Sequence, residues 1–484
     1  MTSSRSTPFA LLAGALAAML CGCAAVGPDY AGAPPVAPDA IQAPRFARDA
    51  SGSASASAST SAPAAPASAD WWRGLDDATL DALVEQALRG SPTLQAAEAR
   101  LRAARASLNQ QQANGRPSGS ASALGLGLVQ APGTSEQTST HLYSIGFDAT
   151  WELDLFGGTR RAVESASAQA LAVRADLADA QVSLAAEVAQ TYVALRAQQR
   201  RLALLQDTAT LDGQGLALMQ QRRDRGVSTD DELEQRKSQG EGTQASMADV
   251  SAQISASLDR LALLTGQAAG ALDATLAAPS PSLPTLPQEL RVGDPAALLK
   301  RRPDIRAAER RLAVRNAQIG QQTANYFPKL SLLGDIGFAG AGLGKLVSGD
   351  SLALIAVPYL SWNVLDFGRT AAAVRQAEAN RDEALANYQA AVLGALQDAN
   401  TSLAHYGRQR QVLQRLLAQQ ASTGRTLGLA QQRRQAGVTS QLDLLDARRG
   451  DIDARLKALD GEAELLKDFV ALQKSLGLGW QAET

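Results

Sequence analysis

The chain has 484 residues, a formal net charge of −2 and 45% hydrophobic residues, of which few are aromatic (4% of the chain). A charge so close to zero provides no electrostatic basis for binding nucleic acid. Apolar content drawn mainly from Ala and Leu favours long, closely packed helices over a bulky globular core.

Residues 1–22 are predicted to be a signal peptide of the lipoprotein type, because the apolar core from Pro8 to Leu20 is too short to span a bilayer. Leu20-Cys21-Gly22-Cys23 resembles the lipobox of bacterial lipoproteins, which implies that Cys23 becomes the lipidated N-terminus. Ala24, by the same resemblance, directs the chain to the outer membrane. A plain secretory signal is the alternative. Cys21 would leave with the signal, so disulfides and Cys-based metal sites are excluded.

Four further segments follow along the chain. Residues 23–69 are predicted to be a lipid-anchored arm and a linker rich in Ser, Ala and Pro, since this composition cannot bury a core. A first repeat is expected over 70–278, a linker over 279–292 and a second repeat over 293–484.

The first repeat is expected to begin with helices at Leu75–Arg89 and Pro92–Asn114. Two alternating segments then follow, Ser122–Val129 and Leu142–Asp154. In the second of these an apolar face opposes a polar face, over a length sufficient to cross a membrane as a β-strand. The apolar face consists of Tyr143, Ile145, Phe147, Ala149, Trp151 and Leu153.

The second repeat has the same plan, with strands predicted at Leu330–Phe338 and Leu352–Val364, although Pro358 removes one ladder hydrogen bond. Each strand pair precedes a long helical pattern that would extend roughly 95 Å at 1.5 Å per residue. The long helices and their returning partners are predicted at Thr159–Arg223, Asp230–Thr265, Thr370–Arg434 and Ser440–Ser475.

Distant landmarks of the two halves recur at one constant spacing. Pro92 and Pro303, Trp151 and Trp362, and Gly226 and Gly437 are each 211 positions apart. A constant spacing over such distances indicates a duplicated unit with almost no net insertion.

Four amphipathic strands cannot close a barrel on their own. An open strand edge in lipid leaves backbone groups unsatisfied, at several kcal/mol each. Two chains would supply eight strands and three chains twelve; eight fill their interior with side chains, whereas twelve begin to leave a channel. The polar face, with Asp148, Glu152 and Asp154, prefers water and so favours the trimer.

Several motifs resemble those of the TolC-like outer membrane efflux family. The strand-to-helix segments Trp151–Gly158 and Trp362–Arg369 do so, as do Leu299–Glu309 and Tyr326–Leu332. Cys23–Tyr30 is similar to the start of the family's NodT-like lipoprotein branch. The resemblance covers nearly the whole mature chain. It departs at the Ser/Ala tract of residues 48–69 and at Gly115-Arg116, where the second half has Tyr326-Phe327.

The resemblance implies a mainly α fold with a transmembrane β-barrel portion: a duplicated channel-tunnel in a homotrimer, with a 12-stranded β-barrel and a 12-helix periplasmic α-barrel. It implies a passive exit duct in the outer membrane of a Gram-negative bacterium. Its partners would be outer membrane lipid, a periplasmic adaptor protein and an inner-membrane transporter of the resistance-nodulation-division type. No enzymatic activity is implied, and no cofactor beyond the lipid on Cys23.

Two other functions remain open at this point. A TolC-like channel for type I protein secretion would have the same architecture. A periplasmic coiled-coil adaptor would share the lipobox and the helical hairpins, but adaptors lack two equivalent halves and amphipathic strand pairs.

Two groups of residues are candidate sites. The turns Gly226-Val227-Ser228 and Gly437-Val438-Thr439 would be periplasmic tips, where the resemblance implies adaptor docking; simple turn chemistry is the alternative. Leu442, Asp446 and Arg449 match the family's inner constriction, at which leucine and aspartate rings narrow the tunnel. A ring of three carboxylates would attract cations. Alternatively, Leu442 belongs to a coiled-coil seam and Asp446 is a solvated charge.

Nothing in the sequence predicts catalysis. His141 and His405 are isolated and lie in no metal-binding pattern. The Arg-rich stretches Arg196–Arg201 and Arg408–Arg415 are predicted to be exposed helix faces.

Overall fold

The computed structural model describes residues 25–43, 46–48, 69–129, 139–278, 282–287, 301–346 and 349–480. The predicted lipidation site Cys23 lies outside the described residues, as does most of the Ser/Ala tract. The helices are α1 (Pro38–Gln42), α2 (Ala78–Gly90), α3 (Pro92–Asn114), α4 (Gly158–Asp224), α5 (Asp230–Leu264), α6 (Asp273–Leu276), α7 (Pro303–Thr323), α8 (Arg369–Gln435) and α9 (Gln441–Ser475). The strands are β1 (Ser118–Val129), β2 (Ser139–Leu153), β3 (Lys329–Gly340) and β4 (Leu352–Ser361). Short 3-10 turns occur at Trp71–Leu75, Ala324–Tyr326, Leu343–Lys345 and Gly349–Ser351.

The predicted elements are all present, but several of their boundaries differ. Strand β1 begins at Ser118 rather than at Ser122, and helix α2 begins at Ala78 rather than at Leu75. Strand β4 ends at Ser361 rather than at Val364. Its last paired residue faces Lys329, the first residue of β3. The preceding residue of that strand, Pro328, has no N–H to extend the ladder. Pro358 lies within β4 opposite Leu332, so the strand forms despite the one ladder hydrogen bond that proline cannot donate.

One compact unit draws its described residues from Met1–Pro34, Arg100–Arg174 and Ala307–Gln389. It contains an antiparallel sheet in the order β1-β2-β3-β4. Phe147, Ile336 and Leu354 form one cross-strand row and are 67%, 48% and 77% exposed. The neighbouring row on the opposite face pairs Asp148 with Asp335. The sheet thus keeps the predicted alternation, with its large apolar side chains uncovered.

The other unit draws its described residues from Pro35–Ala99, Ala175–Arg306 and Ala390–Thr484. Its core is aliphatic, and Leu80, Val193 and Leu466 are fully buried in it. An aromatic group adds to it, since the Trp71 and Phe469 rings meet edge to face with centroids 6.1 Å apart. Within the described part of the chain, no helix has both the length and the apolar character needed to cross a membrane.

The prediction of an exposed Arg-rich face is wrong for Arg196, which is 6% exposed. Its Nη1 donates to Gln199 Oε1 at 2.9 Å and to the Ala278 carbonyl at 2.7 Å, and its Nε donates to the Tyr192 hydroxyl at 3.1 Å. A buried charge is stable only with such a set of acceptors. Arg196 therefore ties α4 to the segment that follows α6.

Candidate docking tips, gate and strand-to-helix junctions

Both long helices end in the same hydrogen-bonded turn. After α4, the Gly226 N–H donates to the Arg223 carbonyl at 2.8 Å and the Val227 N–H donates to the Arg222 carbonyl at 2.9 Å. The corresponding bonds after α8 measure 3.0 and 2.9 Å. Gly226 and Gly437 both have φ of 74°, in the left-handed region that glycine enters without a steric penalty. Each turn is therefore a fixed structure.

The returning helices begin with capping boxes. Thr229 and Ser440 are the N-cap residues of α5 and α9, and they exchange hydrogen bonds with Glu232 and Asp443 respectively. The Ser228 hydroxyl also donates to Glu232 at 2.6 Å. This donation, together with that from the Thr229 amide, lowers the pKa of Glu232. Donation from the Ser440 hydroxyl and amide likewise lowers the pKa of Asp443.

These contacts divide the six predicted tip residues into two groups. The hydroxyls of Ser228 and Thr439 are turned back to carboxylates of the following helix, with Thr439 Oγ1 2.9 Å from Asp443 Oδ2. Val227 and Val438 instead point outward and are 62% and 76% exposed. The glycines and hydroxyl residues thus build each turn, while the valines offer an apolar contact surface.

The predicted gate residue Leu442 is buried within the chain. It is 7% exposed and packs with Met219 of α4 and Leu233 of α5. This is the position expected of a residue in a helix–helix seam. Here α9 is therefore packed against both helices of the first-repeat hairpin.

Asp446 lies one turn further along α9 and holds Arg236 of α5 in a bidentate ion pair. The two N–O distances are 2.7 and 2.8 Å, to Nη1 and Nη2. The geometry is the paired fork that guanidinium and carboxylate groups favour. Hydrogen bonding to Asp446 raises the pKa of Arg236. Half of the Asp446 side chain remains exposed.

Arg449 makes a second ion pair, with Asp212 of α4. Asp212 has a side chain only 6% exposed, and its other oxygen accepts from Thr243 Oγ1 at 2.6 Å. The Gln239 amide oxygen, when oriented toward Arg449, accepts from its Nε at 2.6 Å. This pair is more deeply buried than the one formed by Asp446, so breaking it costs more.

Sequence reasoning found Asp446 and Arg449 but missed their partners Asp212 and Arg236. A signal was present. At the positions 211 residues later the second repeat has Thr423 and Ala447, so these two charges depart from the duplication.

The strand-to-helix junctions repeat a contact as well as a motif. Trp151 Nε1 donates to the Gly115 carbonyl at 3.1 Å, and Trp362 Nε1 donates to the Tyr326 carbonyl at 3.0 Å. Gly115 and Tyr326 occupy equivalent positions although their side chains differ. Because each indole binds a main-chain oxygen, the side-chain difference between the halves leaves the contact intact.

An aspartate caps each long helix at these junctions. Asp154 accepts from the amides of Thr159 at 3.0 Å and Arg160 at 2.8 Å at the start of α4. Asp366 accepts from the amide of Thr370 at 2.8 Å at the start of α8. These bonds satisfy N–H groups that have no partner within the helix. Hydrogen bonds from the side chain and the amide of Thr370 lower the pKa of Asp366.

None of these sites contains chemistry of a catalytic or metal-binding kind. Among the described residues, no three His, Cys, Asp or Glu side chains come together as they would around a metal ion. The arrangement consists of exposed apolar faces, rigid turns and ion pairs between helices.

The sequence profile of the outer membrane efflux proteins matches residues 83–267 and again residues 295–478. The chain belongs to this family. It is 33% identical to the outer membrane protein OprJ of Pseudomonas aeruginosa, over 85% of this chain and 86% of that protein. It is 28% identical to nodulation protein T of Rhizobium leguminosarum bv. trifolii, over 85% of this chain and 88% of that protein. Among solved structures, the outer-membrane channel OprN is similar with a TM-score of 0.80 and 35% identity, over 94% of this chain and all of that one.

These matches confirm the predicted family and its NodT-like branch, the TolC-like channel fold, the outer membrane location and the role in efflux. The family is one of transport proteins. The roles of the tip and gate residues stay predictions.

Proposed function

We propose that three copies of this outer membrane efflux protein form one passive exit duct. Each copy contributes four strands to a twelve-stranded barrel and four long helices to a periplasmic tunnel. The tunnel meets an adaptor protein and an inner-membrane transporter of the resistance-nodulation-division type. The transporter supplies the energy, and the duct carries the exported compound across the outer membrane.

The four-stranded sheet carries this proposal. In the described part of the chain β1 pairs only with β2, and β4 pairs only with β3, so both outer strands have a free edge. The row formed by Phe147, Ile336 and Leu354 is uncovered on one face. Hydrocarbon suits such a face but does not tolerate unpaired strand edges. Pairing β4 of one copy with β1 of the next removes every free edge once the ring is closed.

The tip turns are proposed as the adaptor-docking sites. Gly226 and Ser228 hold Val227 outward in the first turn, and Gly437 and Thr439 do the same for Val438 in the second. A valine on a rigid turn loses little conformational freedom when it enters an apolar groove.

Leu442, Asp446 and Arg449 are proposed as the periplasmic gate. Their contacts hold α9 against α4 and α5, so opening the tunnel requires separating charges that are paired in this structure. Three copies bring three Asp446 side chains around one axis, which favours cations at the constriction.

Lipidation of Cys23 is proposed as the second attachment to the outer membrane. Residues 70–278 and 293–484 are proposed as the two efflux repeats, with 23–69 as the anchored arm and linker and 279–292 as the connection between the repeats.

Electrophoresis of outer membrane fractions tests the proposed assembly. We expect a band at three times the subunit mass in unheated detergent samples, which converts to the monomer on boiling. Deleting the gene should raise sensitivity to the exported compounds, and the wild-type chain should restore resistance. A water-soluble monomer without affinity for detergent would refute the proposal.

A further inference from the structure

The side chain of Arg161, near the start of α4, is 5% exposed and binds the first described residues of the chain. Its Nε donates to the Val26 carbonyl at 3.1 Å, and its Nη2 donates to the Gly27 carbonyl at 3.2 Å and to Asp29 Oδ1 at 2.7 Å. Glu164 holds its Nη1 at 2.8 Å. One buried guanidinium thus recognises the course of the backbone over several consecutive residues.

Glycines clear the space that this segment occupies. A Cβ on Gly320 of α7 would lie 2.7 Å from the Val26 carbonyl oxygen and 2.9 Å from the Arg161 side chain. A Cβ on Gly157 would lie 2.6 Å from the Ala25 Cα. These distances are too short for a side chain, so the groove fits the segment only because both positions are glycine.

The segment also bonds to the second repeat. Asn316 Nδ2 of α7 donates to the Pro28 carbonyl at 2.9 Å. The Tyr30 hydroxyl donates to Glu309 Oε1, also on α7, at 3.3 Å. The Val26 N–H donates to the Phe156 carbonyl at 3.0 Å, at the end of the strand-to-helix junction. Residues 25–30 therefore join α4 of the first repeat to α7 of the second.

The duplication provides an internal comparison for this groove. The equivalent of Gly157 in the other half is also a glycine, Gly368. The other groove-forming residues have no counterpart. The equivalents of Arg161, Asn316 and Gly320 are Ala372, Arg105 and Asn109. One junction has thus acquired a buried donor and an open groove, and its duplicate has neither.

We propose that this groove, defined by Gly157, Arg161, Asn316 and Gly320, is a docking site for residues 25–30 of the mature chain. The docked segment acts as a clasp between the two repeats. It fixes the lipid-bearing end of the chain beside the junction between strand β2 and helix α4, where the membrane-spanning strands end. This inference rests on the proposed lipidation of Cys23 and the proposed outer membrane duct.

Hydrogen–deuterium exchange of the full-length channel in detergent tests the docking site. The Val26 amide is protected in wild type because it is bonded to Phe156. We expect the amides of peptide 25–34 to exchange at least about ten-fold faster in Arg161→Ala and in Gly320→Ala than in wild type. Gly428→Ala is the matched control, because it also places a methyl group on a helical glycine but meets no atom within 4 Å.

Asp29→Ala is a milder variant that leaves the groove intact, and we expect it to give a smaller increase in exchange. Wild type carrying a leader that is cleaved without lipidation should keep the protection, since every contact in the groove is made by protein atoms. Unprotected exchange in wild type would overturn the docking site. So would equal protection in wild type, Arg161→Ala and Gly320→Ala.

Two further measurements on the same samples separate this inference from the proposed function. The mass of the N-terminal peptide reports lipid on Cys23, and unheated electrophoresis reports the trimer. Trimers with lipid but without protection at Val26 would overturn the docking site alone. If wild type itself carried no lipid on Cys23 or formed no trimer, the proposed function would be overturned instead.

Discussion

Replacing Arg449 should open the proposed gate far more than replacing Asp446. The two residues lie on the same helix, but they break ion pairs of different burial. Asp446→Ala removes the bidentate partner of Arg236, and that pair is half exposed on the Asp446 side. Arg449→Ala leaves the carboxylate of Asp212, which is 6% exposed, with Thr243 as its remaining donor.

The burial of each pair sets the expected size of the effect. A bidentate pair exposed to this degree contributes about 0.5–1 kcal/mol after solvent screening. Removing one partner of a buried pair costs about 3 kcal/mol or more. Three copies act on one tunnel, so the totals are about 1.5–3 kcal/mol for Asp446→Ala and about 9 kcal/mol for Arg449→Ala. At about 1.4 kcal/mol per ten-fold change, these totals correspond to about 10- to 10²-fold for Asp446→Ala and about 10⁶-fold for Arg449→Ala in the ratio of open to closed channels.

Single-channel recording in planar bilayers measures this ratio directly. We expect rare openings in wild type, more frequent openings in Asp446→Ala and a persistently conducting state in Arg449→Ala. Asp446→Ala combined with Leu442→Ala should also raise the conductance and lose the cation preference. Glu241→Ala is the control, since it removes an exposed carboxylate from α5, and it should conduct as wild type does.

Two results would refute this reasoning. Equal opening in Arg449→Ala and Asp446→Ala would show that burial of the ion pair does not control the gate. Unchanged conductance in the variant lacking both Leu442 and Asp446 would show that the constriction lies elsewhere.

Three further predictions concern the tips and the core. Val227→Asp with Val438→Asp should leave a folded, inserted trimer that no longer supports efflux in a resistance assay, because a charge replaces the apolar contact; normal efflux would rule out docking there. Arg196→Met should lower the stability by about 1–3 kcal/mol, since a buried carbonyl group loses its donor, and a lower temperature of trimer dissociation would report this. The lowered pKa values of Glu232 and Asp443 mean that their caps stabilise the tips above the carboxylates' unfolded pKa and lose this effect as the pH falls through the folded value. The protection of tip amides, which is the intrinsic exchange rate divided by the observed rate, should therefore fall at acidic pH. It should not fall in Glu232→Gln with Asp443→Asn.

The sequence alone was sufficient to predict the parts of the fold that depend on local periodicity. Helix α3 begins and ends where Pro92 and Asn114 place it. Strand β2 has the predicted alternation, and the tips lie at the predicted glycines. These features follow from side-chain spacing, proline and glycine, which act over a few residues.

Contacts between distant segments could not be predicted in the same way. Arg196 was placed on an exposed face because its main-chain acceptors lie about 80 positions away, at the end of α6. Arg236 and Asp446 are 210 positions apart, and nothing in either local sequence indicates the other. A carbonyl acceptor or a distant ion-pair partner leaves no periodic pattern. Only the breaks in the duplication point to such residues.

Those breaks separate two kinds of contact. The tip turns, capping boxes and junction tryptophans recur in both halves because each is satisfied by nearby backbone. Three charged side chains, Arg161, Asp212 and Arg236, instead bind partners from another part of the chain. Their equivalents in the other half are Ala372, Thr423 and Ala447, which cannot form such pairs.

In the proposed trimer, each helical hairpin has one neighbour from its own chain and one from the next copy. The ion pairs with Asp446 and Arg449 belong to the first kind of neighbour. At the duplicated positions the contact with the next copy has Thr423 and Ala447, which cannot form these ion pairs. In the ring of twelve similar helices, the charged contacts between hairpins therefore have three-fold rather than six-fold symmetry. The charged pairs stabilise the junctions within each chain, and in the proposed gate these are the contacts that must separate for the tunnel to open.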